Sequence, residues 1–490
     1  MKVLLAFAGS RGDAQPGVLL GRELAARGHD VTLAVSPNLV GFADRYGVSA
    51  VPFGLDSDEM LRAQRDDRRF RHPNPGQRVR AVLELQRRGF AEAADDLLAL
   101  AGGSEALVTG MACEEAAAEV ARHHGIPIAA VHFFPIEPNR SVPVIPAAWG
   151  RHLPGTLNRL GWKALTVARA WSLEPERAAF RRTAARGSAS RTSAVHAGGF
   201  EARARPEDRA PGSGRGGSIP PLVDRAGRRT PAYTAIQAYD PALFPGLADE
   251  LRDMPFTGFP VAAEDGAGRR APEWPEPGTS AVEEGGPRLG AELLEWLIAG
   301  PAPVYAGFGS MPVAEPVAVE SLVREVGRRL GRRILLVGPM FRGRIDDELA
   351  VVDQVDHRAV LPLCDVAVHH GGAGTTAAVL RAGVPSVICS VQADQSYWGR
   401  QVEALGLGAT APFAGLTANR LERLLIRASR PDVRLRAAAY GARFRGDGVA
   451  RAADAVETLL PQATTRSPGA EGLSIPTGGY SASTMIGGAR

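Results

Sequence analysis

A chain of 490 residues with 45% hydrophobic content is too long for one compact core and carries material for two. No apolar run approaches the roughly 18 residues of a membrane span. Three scattered cysteines, Cys113, Cys364 and Cys389, exclude a disulfide framework or a zinc cluster and point to a reducing cytoplasm. The net charge of +4 is local, because residues 181–229 hold eleven arginines against four acids while the other 441 residues sum to −3; the body of the protein is therefore no nucleic-acid binder.

In chain order, Val3 to Ala8 is an apolar run leading straight into a folded-looking unit, and reads as a first strand and not as a signal peptide. Gly9 to Gln15 is expected as a loop, with Pro16 as a first helical residue that tolerates losing its N–H. Leu19, Leu20 and Leu24 line a helical face up to Gly28, and Val31 to Val35 is the next strand. Ala106 to Thr109 and Ile126 to His132 predict further strands around a helix over Glu114 to His123. Such alternation predicts a parallel sheet covered by helices on both faces. Beyond it, Phe133, Phe134, Ile136, Val142, Val144, Ile145 and Trp149 form an apolar stretch broken by prolines, suited either to a core or to the wall of an apolar binding site.

Residues 181–229 contain 26 Gly, Ala, Ser or Pro and five larger apolar residues, so a flexible or irregular segment is expected there. An out-of-frame stretch of GC-rich coding sequence would give the same composition. Residues 261–288, with Pro272, Pro275, Pro277 and Pro287, read as an interdomain linker. A second strand-helix-strand unit follows in Val304 to Phe308, Val319 to Leu330 and Ile334 to Val337. The divisions expected are thus 1–260, the linker 261–288, a second domain over 289–460 and a disordered tail over 461–490.

The most informative stretch is 366–395. Val366 to Val368 delivers the chain into a glycine-rich turn, and Thr375 to Ala382 reads as a helix closed by Gly383. The turn lies at a helix N-terminus, where unpaired N–H groups and the dipole favour an anion. Gly371, Gly372 and Gly374 let phosphate oxygens approach the backbone. Val387 to Cys389 then leads to Asp394 and Gln395, an acid and an amide suited to sugar hydroxyls.

From Val355 to Gly408 the chain resembles the donor-binding signature of the family 1 nucleotide-sugar glycosyltransferases, especially those of actinobacteria that decorate macrolides, polyenes and glycopeptides. The resemblance implies an α/β protein of two facing Rossmann-like domains, the GT-B fold, with a cleft between them, an acceptor-binding N-terminal domain and a donor-binding C-terminal one. It implies donor contacts from Ser10, Gly309, Ser310, Val355, His369, Gly371, Gly372, Ala373, Gly374, Thr375, Asp394 and Gln395, with His369 on a phosphate. Thr257-Gly258-Phe259-Pro260 resembles the family's exit from the first domain, and Gly9 to Pro16 its opening motif, in which Asp13 would take the acceptor proton; the plainer reading makes Asp13 a helix cap. His370 reads as structural or acceptor-facing, Asp356 and His357 as base-flanking or loop-capping, and Tyr397 and Trp398 as core or cleft wall.

The activity implied is inverting transfer from a UDP-, dTDP- or GDP-linked sugar, a co-substrate and not a cofactor, to a bulky apolar acceptor. Phe133, Phe134, Ile136 and Trp149 would face that acceptor, a polyketide by preference and a sterol or lipid otherwise. The resemblance implies that no metal is required. A nucleotide-sugar 2-epimerase and a noncatalytic helper of the same fold are the alternatives. The expected protein is a monomer or weak dimer.

Overall fold

The computed structural model describes residues 1–459 except 73, 146–149, 151, 152, 197–231, 263–285, 310–314, 392 and 393. Two parallel sheets organise them. The first contains β1 (Lys2–Phe7), β2 (Asp30–Val35), β3 (Ala50–Pro52), β4 (Ala106–Gly110), β5 (Ile128–His132) and β6 (Tyr233–Gln237), in the order β3-β2-β1-β4-β5-β6. The second contains β7 (Val304–Gly307), β8 (Ile334–Val337), β9 (Arg344–Ile345), β10 (Leu349–Val352), β11 (Val366–His369), β12 (Ser386–Ser390) and β13 (Gly408–Pro412). Its order is β13-β12-β11-β7-β8-β10-β9, and only β9 runs antiparallel to its neighbour. The protein is thus of the α/β class with two Rossmann-like domains, as the alternating pattern predicted.

Strand order locates the functional crevices. In the first sheet the chain runs outward through β2 and β3, then returns to the other side of β1 with β4; in the second it leaves β7 through β8 and β10 and returns with β11. Ligands of open α/β sheets bind at such switch points, outside the carboxyl ends of the strands. The segments concerned are the loop and helix start after β1, carrying Ser10 and Asp13, the turn after β7, carrying Gly309, and the turn and helix start after β11, residues 370–375.

Two expectations are corrected. The first helix begins at Arg11, not at Pro16, so residues 11–15 are helical and Pro16 lies inside. Asp13 accepts from the Ser10 N–H at 2.8 Å and from the Ser10 hydroxyl at 2.9 Å, which anchors the N-terminus one turn earlier than proline alone suggests. Pro16 forfeits a bond to Gly12, which is exposed to water.

The expected irregular segment is helical in its first part, because Glu174–His196 forms one helix. Arg177 and Arg181, one turn apart, both bond to the buried Glu119 on helix Glu114–His124, at 2.6 and 2.7 Å, and Ala184 is buried beside them. Charge pairing supplies the anchor that apolar content does not. The rest of that segment, the bulk of the expected linker and the tail over 461–490 lie outside the described residues, and helix Gly286–Ile298 starts within the last three linker positions.

The last described helix, Gly448–Glu457, crosses from one sheet to the other. It leaves the second sheet and buries Val449, Ala452, Ala453 and Val456 in the core of the first, beside Leu20 and Leu24. Arg27 bonds to Asp454 at 2.7 Å and Glu457 at 2.9 Å, and His29 to Glu457 at 2.9 Å. A glycine is needed where this helix starts, since a Cβ on Gly448 would stand 2.1 Å from the Phe259 carbonyl oxygen.

Candidate active site

Asp13 occupies the first turn of helix Arg11–Ala26, above the carboxyl end of β1. Burial raises its carboxyl above the ordinary range, opposed by the two hydrogen bonds from Ser10. The bond to Ser10 realises the capping reading, and the residue nonetheless stands at the switch point. Gly9 makes room for it: its φ is +117°, and a Cβ there would come 2.5 Å from the Asp13 carboxylate.

Across from it lies Asp394, at the start of helix Gln395–Ala404. Trp398, fully buried one turn later, donates its indole N–H to Asp394 at 3.0 Å. Burial pushes the Asp394 carboxyl up to about 6; the Trp398 bond opposes this and the neighbouring charge of Asp13 adds to it. The charge of an acid after the first strand of one domain therefore acts on an acid after the sixth strand of the other. The first loop meets the second domain at another point, where Arg11 disfavours the protonated form of His357. Burial is the larger cause there, and together they bring the imidazole to about 4. His357 Nε2 lies 2.8 Å from the Tyr305 hydroxyl. No spacing in the sequence announces the Arg11–His357 or Asp13–Asp394 proximity; only the i, i+4 step from Asp394 to Trp398 was legible.

The turn after β11 has the expected form. Helix Ala373–Ala382 is capped by Gly372 without a side-chain bond, so the N–H groups of its first turn lack intrahelical partners. Gly371 has φ +93°, and a Cβ there would strike Ile388 at 2.7 Å. Gly374 is exposed, and nothing lies within 4 Å of where its Cβ would be, which leaves open space beside the N–H groups. Ala373 packs against apolar residues of both domains, so the turn borders the first domain directly.

His369 is fully buried, and burial with the adjacent His370 and His357 lowers its imidazole to about 3. Its Nδ1 accepts from the Gly371 N–H at 3.2 Å, which assigns the proton of the neutral ring to Nε2, a buried atom without a partner among the described residues. His370, half-buried, sits between the two glycine turns: a Cβ on Gly309 would come 3.0 Å from its ring and one on Gly372 2.6 Å. Gly309 itself has φ +62°.

The remaining positions divide. Gln395 is buried and accepts from the Val391 N–H at 2.8 Å, closing its own loop. Val355 packs against the apolar core of the second sheet, and Asp356 caps the helix that starts at His357, accepting from Arg358 N–H at 2.8 Å. Phe133, expected on the acceptor face, is 8% exposed and packs in the core with its ring against Phe7, 6.4 Å between centroids. Phe134 lies against Tyr397 with ring centroids 5.5 Å apart and planes tilted by 35°, and the Tyr397 hydroxyl donates to the Val144 carbonyl at 2.7 Å, so the apolar stretch of the first domain is tied to the helix that Asp394 caps. Ile136 is half-buried; Ser310 and Trp149 lie outside the described residues.

Comparison with known proteins agrees with this arrangement. Residues 3–140 match the glycosyltransferase family 28 N-terminal domain, and residues 341–453 the erythromycin biosynthesis protein CIII-like, C-terminal domain. An uncharacterized glycosyltransferase of Mycobacterium tuberculosis is 34% identical over 474 residues, which cover 95% of this chain and 100% of that protein. The calicheamicin glycosyltransferase CalG4 superposes with a TM-score of 0.60 at 16% identity, covering 94% of this chain and 99% of that one. The Streptomyces sp. SF2575 glycosyltransferase SsfS6, complexed with thymidine diphosphate, gives 0.53 at 20% identity over the same shares. At such identities the structural likeness speaks for the fold.

Proposed function

The chain belongs to the nucleotide-sugar glycosyltransferases of the GT-B fold, and we propose that it transfers a sugar, with inversion at the anomeric carbon, to a hydroxyl of a bulky apolar acceptor such as a polyketide. Two observations support the reading: the charge of Asp13 acts on Asp394 of the other domain, and the helix N-terminus after β11 has open space at Gly374. In this reading the Asp13 carboxylate takes the acceptor proton while the acceptor oxygen bonds to the anomeric carbon and the bond to the diphosphate breaks. The leaving diphosphate is held by the N–H groups of Ala373, Gly374 and Thr375, with the Thr375 hydroxyl and the partnerless Nε2–H of His369. Asp394 and Gln395 bind the sugar hydroxyls.

Phe134, against Tyr397, and Ile136 form the acceptor wall. Thymidine diphosphate in the SsfS6 structure makes a dTDP-sugar the first donor to try. The test is product mass spectrometry with a panel of nucleotide sugars against polyketide and sterol acceptors. Sugar transfer to a polyketide hydroxyl with inverted anomeric configuration is expected; a retained configuration or an epimerised free sugar would overturn the reading.

A further inference from the structure

Helix Gly155–Ser172 presents an apolar stripe to solvent. Leu157, Leu160, Ala164, Val167 and Trp171 follow one another at steps of three, four, three and four residues, which places them on one helical face. Trp171 is 79% and Val167 67% exposed. The packed side of the helix is a different one: Trp162 is buried and donates to the Val142 carbonyl at 2.9 Å, and Gly161 admits Val144, which a Cβ would approach to 2.7 Å. The helix therefore holds the acceptor-side segment with one face and exposes apolar residues on another, and the chain just past Val144 adds the exposed Ile145.

Charge decides what such a face fits. The helix has no acidic residue, and Arg159 and Lys163, one turn apart beside the stripe, are both exposed. Leucine, valine and tryptophan flanked by cations match the interfacial layer of an anionic bilayer, where the rings and aliphatic groups sit among the headgroups and the cations meet phosphate. A second copy would bring Arg159 and Lys163 toward their own counterparts, and the arginine-rich residues 197–231 carry the same sign of charge. We propose that this face docks on an anionic lipid surface and that the acceptor is an amphiphile whose hydroxyl is presented there. The statement about the acceptor rests on the function proposed above; the docking does not.

The test sediments the full-length protein with vesicles of phosphatidylcholine, alone or mixed with phosphatidylglycerol, at low and high salt. Binding to the mixed vesicles is expected, weakened by salt, and lowered about tenfold or more in a Leu160→Glu/Val167→Glu variant and in an Arg159→Glu/Lys163→Glu variant. Both variants should transfer sugar to a soluble acceptor as the parent does, which shows that they fold. No binding by the parent, or equal binding by the variants, overturns the docking. Light scattering that shows a dimer lost in either variant assigns the face to a second copy and overturns it too. If vesicles bind while no acceptor in the panel is glycosylated, the docking stands and the acceptor assignment falls.

Discussion

At the residue scale the proposed chemistry concentrates on two acids. Asp13→Asn should lower turnover by roughly 10²-fold or more with donor affinity little changed, as expected for a lost base; steady-state kinetics beside donor titration check it, and unchanged turnover would leave Asp13 as a cap only. The coupling to Asp394 gives a second prediction. Because its carboxyl is raised from 3.8 to about 6 in the folded protein, the proton is held more tightly folded than unfolded. Stability from this group is present below about pH 4 and is lost as pH rises through 6. Asp394→Asn, which can still accept from Trp398, should therefore stabilise the protein at pH 8 by about 1–2 kcal/mol relative to its effect at pH 4, read from denaturant melts at both values. The acid limb of kcat/KM should also move to lower pH, since Asp13 then ionises without a neighbouring charge. On the donor side, His369→Ala and Thr375→Ala should weaken a free nucleoside diphosphate, while Asp394→Ala should spare it and weaken the nucleotide sugar. Calorimetry with both ligands separates the sets, and equal losses on the free nucleotide would refute the division.

The element scale shows where burial statistics mislead. Helix Glu174–His196 is poor in large apolar residues, and its anchor is Glu119, 2% exposed. Burial alone would raise that carboxyl, but Arg181, Arg122 and Arg177 together hold it at about 2. Removing it leaves three guanidiniums around an empty, partly desolvated site. Glu119→Ala should cost about 3 kcal/mol, measured by thermal or denaturant unfolding. The depressed carboxyl contributes stability above about pH 4.5 that is lost as pH falls toward 2, so the difference between variant and parent should shrink in acid. A constant difference from pH 7 to 3 would show that packing, not the ion cluster, holds the helix. Helix Arg11–Ala26 makes the complementary point: a Cβ on Gly17 would stand 2.4 Å from the Phe7 ring, so this helix lies on β1 only because position 17 has no side chain.

For the whole molecule, the last helix joins the two halves. Its buried face lies in the first domain's core although its neighbours in sequence belong to the second. Arg27 and His29 grip its polar side through Asp454 and Glu457. Arg27→Ala should lower the melting temperature only modestly, because the pairs are partly exposed and the apolar face remains. Amide exchange in residues 448–457 should accelerate more than in β1 or β11; uniform acceleration would mean that the helix is no separate unit.

Local pattern by itself determined much of this protein. Apolar runs and their spacing gave the strands around Val3, Val31, Ala106, Val304, Ile334, Val366 and Val387, and the order Val-His-His-Gly-Gly-Ala-Gly-Thr gave the glycine turn at a helix N-terminus, because both depend on neighbours within a few residues. The helix start at Ser10 was missed although Ser10 and Asp13 have capping spacing, since Pro16 is the stronger local signal. What only the tertiary structure decided is which distant groups meet: Asp13 with Asp394, Arg11 with His357, Glu119 with Arg177 and Arg181, the last helix with the first core, and Phe133 inside while Phe134 faces Tyr397. These meetings are set by chain topology and by burial summed over two domains, not by spacing along the chain.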